Sequence, residues 1–155
     1  MAADGAVHWQ ILETAQERVR QLRLAEIPDG QVYLKRYPTD RGCTLPAVVL
    51  SPVLTETADP TGTNVRDDVG YPVQVTIVTP GNQDLDIDER ELLWRERISQ
   101  AFRGQRLPVV AEVYLCRWEP GSIIDLGLFH DENLFISAFT LRFASRETRG
   151  LRGSS

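Results

Sequence analysis

The sequence predicts an α+β fold, in which a mixed or antiparallel β-sheet carries two main helices on one face. Two neighbouring stretches lead to this prediction. Residues 71–79 place Val73, Val75 and Ile77 in alternation with polar residues, as a strand with one buried face requires. Residues 86–102 then carry apolar side chains at helical spacing. A half-buried strand followed by an amphipathic helix forms the core of a two-layer domain.

The boundaries of this strand and helix are marked by turn and capping residues. Pro80-Gly81-Asn82 ends the strand, because proline lacks the backbone donor and glycine admits turn dihedrals. Asp86 and Glu89 have the spacing of a capping box, which starts the helix at about Asp86. The apolar stripe of the helix consists of Ile87, Trp94, Ile98, Ala101 and Phe102.

A first helix is predicted from Asp4 or Gly5 to about Leu24, ahead of the strands. Its apolar face contains Val7, Ile11, Ala15, Val19 and Leu22, with Leu12 at the margin. His8 projects toward the same face. No His, Cys or acidic residue stands four residues after His8, so we expect it to be packed or capped rather than to bind a metal.

Two short strands and a long loop are predicted between the helices. Residues 31–37 alternate weakly, and residues 45–52 form a strand framed by prolines, as at a sheet edge. From 53 to 69 the apolar pattern gives way to Thr, Asp, Gly, Asn and Pro, which predicts a long flexible loop.

Two further strands, 109–118 and 133–143, are predicted after the second helix, and residues 123–132 are compatible with a strand or a loop. The last strand has a heavier face of Phe135, Phe139, Leu141 and Phe143 and a lighter one of Leu134, Ile136 and Ala138. Because both faces are apolar, this strand is either central or covered by a partner. A frayed basic tail is predicted for 144–155. The predicted order is α-β-β-(long loop)-β-α-β-β in one domain, 1–155.

Composition excludes several classes of function. The chain has 155 residues and a net charge of −5, which argues against general binding to nucleic acid or anionic membranes. No apolar run approaches the roughly 20 residues that span a bilayer, and the N-terminus lacks the pattern of a signal peptide. We therefore expect folding in a reducing cytoplasm. Cys43 and Cys116 are expected to be free thiols, with a disulfide left open.

Motifs for catalysis or metal binding are incomplete. Asp84, Asp86 and Asp88 suggest a calcium loop, but an EF-hand needs glycine at its sixth position and glutamate at its twelfth. Here those positions hold Glu89 and Arg95. The acidic residues instead suit a helix N-terminus. The sequence also lacks a phosphate-binding glycine motif and a nucleophile pattern, so we expect no catalytic residue, no metal and no cofactor.

Candidate interface residues lie on the second helix and in the long loop. Leu92 and Leu93 fall outside the apolar stripe and are flanked by Arg90 and Arg97, a combination that favours self-association. Within the loop, the stretch Thr-Glu-Thr-Ala-Asp-Pro-Thr-Gly-Thr-Asn at 55–64 offers no apolar anchor that could fold it onto its own domain, which suggests contacts with another molecule. Its candidate contact residues are Thr55, Glu56, Thr57, Asp59, Thr61, Asn64 and Arg66.

These elements resemble the tail-terminator, or tail-completion, proteins of tailed bacteriophages and prophages. The stretches that carry the resemblance are Leu-Pro-Ala-Val-Val at 45–49, Gly-Tyr-Pro-Val-Gln-Val-Thr-Ile at 70–77 and Arg-Glu-Leu-Leu-Trp-Arg-Glu-Arg-Ile-Ser-Gln-Ala-Phe at 90–102. The resemblance implies a non-enzymatic virion protein, assembled in the host cytoplasm into a ring, commonly a hexamer. Such a ring caps the tail tube and contacts the tube protein and the head–neck proteins. The basic C-terminal tail has no place in that pattern.

A soluble binding module or small enzyme, with a cleft between sheet and helices, is the alternative. A deep pocket with converging polar groups, or a monomer at high concentration, would favour that alternative.

Overall fold

A computed structural model of the chain describes residues 6–39, 41–52, 57–60, 66–80, 89–107, 113–121 and 134–148. It contains two α-helices and six strands, with a short 3₁₀ turn at Asp29–Gln31. In chain order they are α1 (Val7–Gln21), β1 (Val32–Leu34), β2 (Ala47–Ser51), β3 (Thr57–Pro60), β4 (Arg66–Pro80), α2 (Glu89–Phe102), β5 (Val113–Glu119) and β6 (Leu134–Thr148). The α+β class predicted from the sequence is therefore confirmed.

The six strands form one mixed sheet. Its main path is β1-β2-β4-β6-β5, and β3 pairs with the part of β4 that β2 leaves free. The β1–β2 pair is parallel, and the other pairs are antiparallel. The longest pairing joins β4 to β6 over all fifteen residues, from Arg66 opposite Thr148 to Pro80 opposite Leu134. Of the two alternatives left open for the last strand, the structure shows the central position, since β6 lies between β4 and β5.

Both helices pack on the same face of the sheet. The strand alternation points Val75, Leu50 and Phe139 to this face from adjacent strands, and all three are buried. The predicted stripe of α2 provides the opposing surface, and the ring of Phe102 meets that of Phe143 edge-on, with centroids 5.9 Å apart. The buried helix residues are Ile11, Leu12, Ala15 and Val19 on α1 and Trp94, Ile98, Ser99 and Phe102 on α2.

The two helices run antiparallel and are joined by arginine side chains near their C-terminal ends. Arg97 Nη2 on α2 donates to the carbonyl oxygen of Leu22 just past α1, at 2.7 Å. Arg18 Nη1 on α1 donates at 3.4 Å to the carbonyl oxygen of Ala101, and its guanidinium lies over the Phe102 ring. Carbonyl groups at helix C-termini lack intrahelical donors and carry partial negative charge, so these cations stabilise both helix ends.

The connection between β1 and β2 returns the chain across the sheet, because parallel neighbours cannot be joined by a tight turn. Tyr33 points away from the helical face, since its neighbours Val32 and Leu34 belong to the helix-side core. Its hydroxyl accepts a hydrogen bond from the backbone N–H of Thr44 at 2.9 Å. The connection therefore lies against the opposite face of the sheet at this edge.

The prediction of a flexible loop over 53–69 is wrong for part of that range. Thr57–Pro60 forms β3, and residues 66–69 belong to β4, with Thr57 opposite Gly70 and Pro60 opposite Asp67. These strands are built by backbone hydrogen bonds, which need no apolar alternation, so the sequence pattern did not reveal them. Residues 53–56 and 61–65 lie outside the described residues.

The predicted frayed tail also needs correction, because β6 continues to Thr148. Residues 144–148 pair with residues 66–70 of β4, and Ser145 is fully buried opposite Val69 and Val113. Residues 149–155 lie outside the described residues.

The bounds of other elements differ from the prediction by a few residues: α1 ends at Gln21 rather than Leu24, and β1 covers three residues of the predicted seven. The Asp86 cap and residues 123–132 also lie outside the described residues.

His8 has the packed role expected of it. Its Nε2 atom lies 2.8 Å from the carbonyl oxygen of Pro72, and its ring lies 5.1 Å from the Tyr71 ring, centroid to centroid. This contact fixes the start of α1 at the level of Tyr71 and Pro72 on β4. Residues 66–70 of β4, with β3 and residues 144–148 of β6, extend past that level; we call this three-stranded extension the arm.

Candidate interaction surface

The leucine pair predicted as an interface is exposed at the start of α2. Leu92 is 38% exposed and Leu93 is 46% exposed, although the buried Trp94 follows directly in the sequence. At 100° per residue, both leucines lie on the side of the helix that faces away from the core, close to Glu89 and Glu96. An apolar pair surrounded by charged residues is a typical composition for a contact surface.

The two arginines assigned to the same interface have intramolecular partners. Arg97 binds the carbonyl oxygen of Leu22, and Arg90 forms an ion pair with Glu26. Arg97 thereby joins the two helices, and Arg90 holds the segment after α1. Their role in an interface stays a prediction. Sequence spacing placed both residues near Leu93, but their partners are distant in the chain and could not be read from it.

Three of the seven predicted loop residues lie in the arm. Thr57 and Asp59 belong to β3, and Arg66 begins β4. In the β3–β4 register Asp59 lies opposite Asp68. In the β4–β6 register Arg66 lies opposite Thr148. The other four, Thr55, Glu56, Thr61 and Asn64, lie outside the described residues. The described part of the predicted contact loop is therefore formed by paired strands.

Two further exposed aromatic side chains were not predicted from the sequence. Trp9 is 50% exposed and Tyr37 is 55% exposed, with exposed Arg36 preceding the tyrosine. A helical wheel of α1 could have shown that Trp9 lies opposite the apolar stripe. Tyr37 lies at the end of the 31–37 stretch predicted as a strand, and the weak alternation of that stretch does not indicate that its side chain is exposed.

Arg95 occupies the point where β5 leaves β6. The β5–β6 register ends at Glu119 opposite Thr140. Beyond it, Arg95 Nη1 donates to the Ala138 carbonyl oxygen and to Ser137 Oγ, both at 2.8 Å, and Nη2 donates to the Gly121 carbonyl oxygen at 3.1 Å. Burial lowers the pKa of the Arg95 guanidinium from its usual range. The side chain therefore replaces backbone pairing at the end of the sheet ladder.

Replacing Arg95 with methionine should lower the free energy of unfolding by about 2 kcal/mol, since hydrogen bonds to a charged group contribute about 1.5–3 kcal/mol. Two carbonyl groups would lose their donor, while the aliphatic volume over Phe139 would remain. Arg117→Met is the matched control, because Arg117 is exposed on β5. Urea denaturation of both variants measures the difference; equal destabilisation would rule out this role for Arg95.

The two cysteines are free thiols. Cys43 is half-buried, and Cys116 lies in the core on β5. Burial raises the pKa of the Cys116 thiol from 9.0 to about 12, an effect that the nearby Arg18 charge opposes in part. At neutral pH Cys116 is therefore a neutral core residue and a poor nucleophile.

Stability should fall in alkali because the Cys116 thiol ionises more readily in the unfolded chain. The contribution of the neutral thiol is fully present below pH 9 and is lost progressively between pH 9 and 12. At pH 10 the loss is about 1.4 kcal/mol, one pKa unit of differential ionisation. Denaturation of the wild-type and Cys116→Ala proteins at pH 8 and pH 10 measures it. The same pH dependence in both proteins would contradict the shifted pKa.

Within the described residues, no group of three or more His, Cys, Asp or Glu side chains is arranged to hold a metal ion. Asp84, Asp86 and Asp88 lie outside those residues, so the expectation that they bind no metal stays a prediction. We expect a chelator to leave the melting temperature unchanged, because a metal bound only to the folded state would raise it. A clear decrease on adding chelator would restore the aspartate site.

In the part of the chain that the structure describes, no helix is long and apolar enough to cross a membrane. Comparison of the sequence with protein-family models gives no match, and comparison with curated proteins gives no significant match.

Proposed function

We propose that this protein is a non-enzymatic structural component of a tailed phage or prophage-derived particle. In this proposal several copies, most simply six, form a ring that terminates the tail tube and joins it to the head and neck. The observation that carries the proposal is the exposed Leu92–Leu93 pair, which lies within the 90–102 stretch that resembles tail-terminator proteins.

The exposed leucine pair supports self-association because the opposite side of α2 is the side that packs in the subunit's own core. Trp94, Ile98 and Phe102 fill one side of the helix, so the leucines gain nothing from the subunit's own fold. Burying apolar surface against a neighbour would contribute about 25 cal/mol for each Å² removed from water. The acidic chain also suits a ring through which DNA passes, since like charges oppose phosphate binding.

The proposal is tested first by the mass of the purified protein, measured by light scattering after size exclusion. A hexamer of the 17.5 kDa chain has a mass of about 105 kDa, and negative-stain electron microscopy should show rings with a central opening. Leu92→Glu/Leu93→Glu should remain monomeric, whereas Gln105→Glu, exposed just past the C-terminal end of the same helix, should assemble normally.

A second experiment separates ring formation from tail termination. Assembled protein carrying a gold label is added to purified tail tubes, and the tube ends are counted by electron microscopy. We expect label at one end of each tube. If the wild-type protein stays monomeric at high concentration, the proposed ring is wrong and the binding-module alternative is favoured. If rings form but never bind tube ends, only the proposed tail function is wrong.

A further inference from the structure

A short basic segment follows the end of the arm. β6 ends at Thr148, and the next residues in the chain are Arg149, Gly150, Leu151 and Arg152, which lie outside the described residues. We call residues 149–152 the basic segment. It has two positive charges, no acidic residue and one large apolar side chain between the arginines. A surface that offers apolar side chains among acidic ones complements both of these properties.

The exposed leucines of α2 lie in such an acidic surface. Glu89, Leu92, Leu93 and Glu96 fall within a sector of about 100° on the helix, and all four are exposed. We define the acidic patch as these four residues. Among the described residues, neither of its two glutamates is paired with a cation. The patch therefore presents two apolar side chains and two negative charges to solvent.

The arginines closest to the acidic patch are turned to partners within the subunit. Arg90 forms an ion pair with Glu26, after α1. Arg103 lies two helical turns, about 10 Å, beyond Glu96, and its guanidinium stands over the Trp118 ring at 4.3 Å. The acidic patch therefore keeps its negative charge.

α2 and β6 run side by side in the same direction. Near the start of α2, Arg95 Nη1 donates to Ser137 Oγ on β6. At the end of α2, the Phe102 ring meets the ring of Phe143, further along β6. The acidic patch therefore lies at one end of the molecule, whereas the end of β6 that leads into the basic segment lies at the other.

The basic segment of one subunit cannot reach the leucine pair of the same subunit. The leucines precede Phe102 by about 14 Å of helix, and Thr148 follows Phe143 by about 17 Å of strand. The leucines and the end of β6 are therefore about 30 Å apart along these elements. Leu151 stands three residues after Thr148, and three fully extended residues span at most about 11 Å. A contact between Leu151 and the leucine pair must join two copies of the chain.

We infer that the basic segment of one copy of this chain docks on the acidic patch of the next copy. Leu151 covers the leucine pair, and the two arginines of the segment pair with the two glutamates of the patch. Charge complementarity selects this occupant. Two different surfaces at opposite ends of a subunit give a heterologous contact, the kind that closes into a ring. This inference rests on the ring of the proposed function and names the segment that covers its leucine pair.

Reversing the charge of the segment and of the patch separately tests this contact. Variant one is Arg149→Glu/Arg152→Glu, and variant two is Glu89→Arg/Glu96→Arg. Each variant alone brings like charges together, so each should have the mass of a monomer at a concentration where the wild-type protein is assembled. An equimolar mixture restores opposite charges at every contact, so it should recover the wild-type mass with the two variants alternating. Light scattering after size exclusion measures these masses.

Matched controls change the net charge by the same amounts at other exposed positions. Arg36→Glu/Arg41→Glu is the control for variant one and Glu13→Arg/Glu17→Arg for variant two, and both should assemble alone. Circular dichroism and a thermal melt of each variant establish that it is folded. Leu151→Ser should raise the concentration needed for assembly at least tenfold, as expected for losing one buried leucine side chain.

The outcomes separate this inference from the proposed ring. A wild-type monomer would end both. A wild-type ring, with both charge-reversed variants assembling alone at full size, would overturn only the docking of the basic segment, as would a mixture of folded variants that stays monomeric. If variant one assembles fully but loses a retention on duplex DNA that the wild-type protein shows, the segment contacts nucleic acid and this inference is wrong.

Discussion

Trp94→Ala should lower the free energy of unfolding by about 3–5 kcal/mol, the range for removing a large buried aromatic side chain. Trp94 is 3% exposed and belongs to the cluster that joins α2 to the sheet. The loss combines the transfer free energy of the indole with the cavity left between the two layers. Chemical denaturation, followed by far-ultraviolet circular dichroism because the tryptophan signal changes, measures the difference.

Two companion variants sharpen this measurement. Gln100→Ala, on the exposed side of the same helix, should change stability by no more than about 0.5 kcal/mol. Trp94→Phe should cost less than half as much as Trp94→Ala. The indole Nε1 is buried and has no hydrogen-bond partner among the described residues, so phenylalanine removes an unsatisfied donor while keeping most of the volume. A change below about 1 kcal/mol for Trp94→Ala would place Trp94 outside the core.

Trimming the arm should abolish assembly, or docking onto tail tubes, while leaving the two-layer fold intact. Deleting residues 58–69 and joining Thr57 to Gly70 through Asn-Gly keeps the observed register, because these two residues are opposite each other and a two-residue turn can close there. Residues 146–148 lose their β4 partners in this variant and are expected to fray, whereas Ser145 keeps its pairing with Val113 on β5. The core beneath the helices is untouched.

The reason to expect a contact function for the arm is geometric, because its strands extend past the level at which α1 begins. The β4–β6 pair spans fifteen residues, about 50 Å, whereas α1 covers about 22 Å. A trimmed protein that keeps its melting transition but forms no rings and caps no tubes would support the contact role. Complete rings that still cap tubes would make the arm a passive extension.

The sequence alone determined the two-layer core. The spacing of Trp94, Ile98 and Phe102 and the alternation of Val73, Val75 and Ile77 each define a buried face by local geometry. Periodicity of this kind is written in neighbouring residues, so no knowledge of distant partners is needed. The exposure of Leu92 and Leu93 was predictable for the same reason.

Only the tertiary structure showed the pairing of the arm, the contacts between the two helices and the exposure of Trp9 and Tyr37. The β3 pairing depends on backbone groups that every residue carries, so the polar sequence of 57–60 gave no signal. Arg97 reaches a carbonyl group 75 residues away in the chain, and that distance hides its role from any local pattern. Local spacing encodes which face of an element is buried, whereas the packing of distant elements decides which exposed residues lie together.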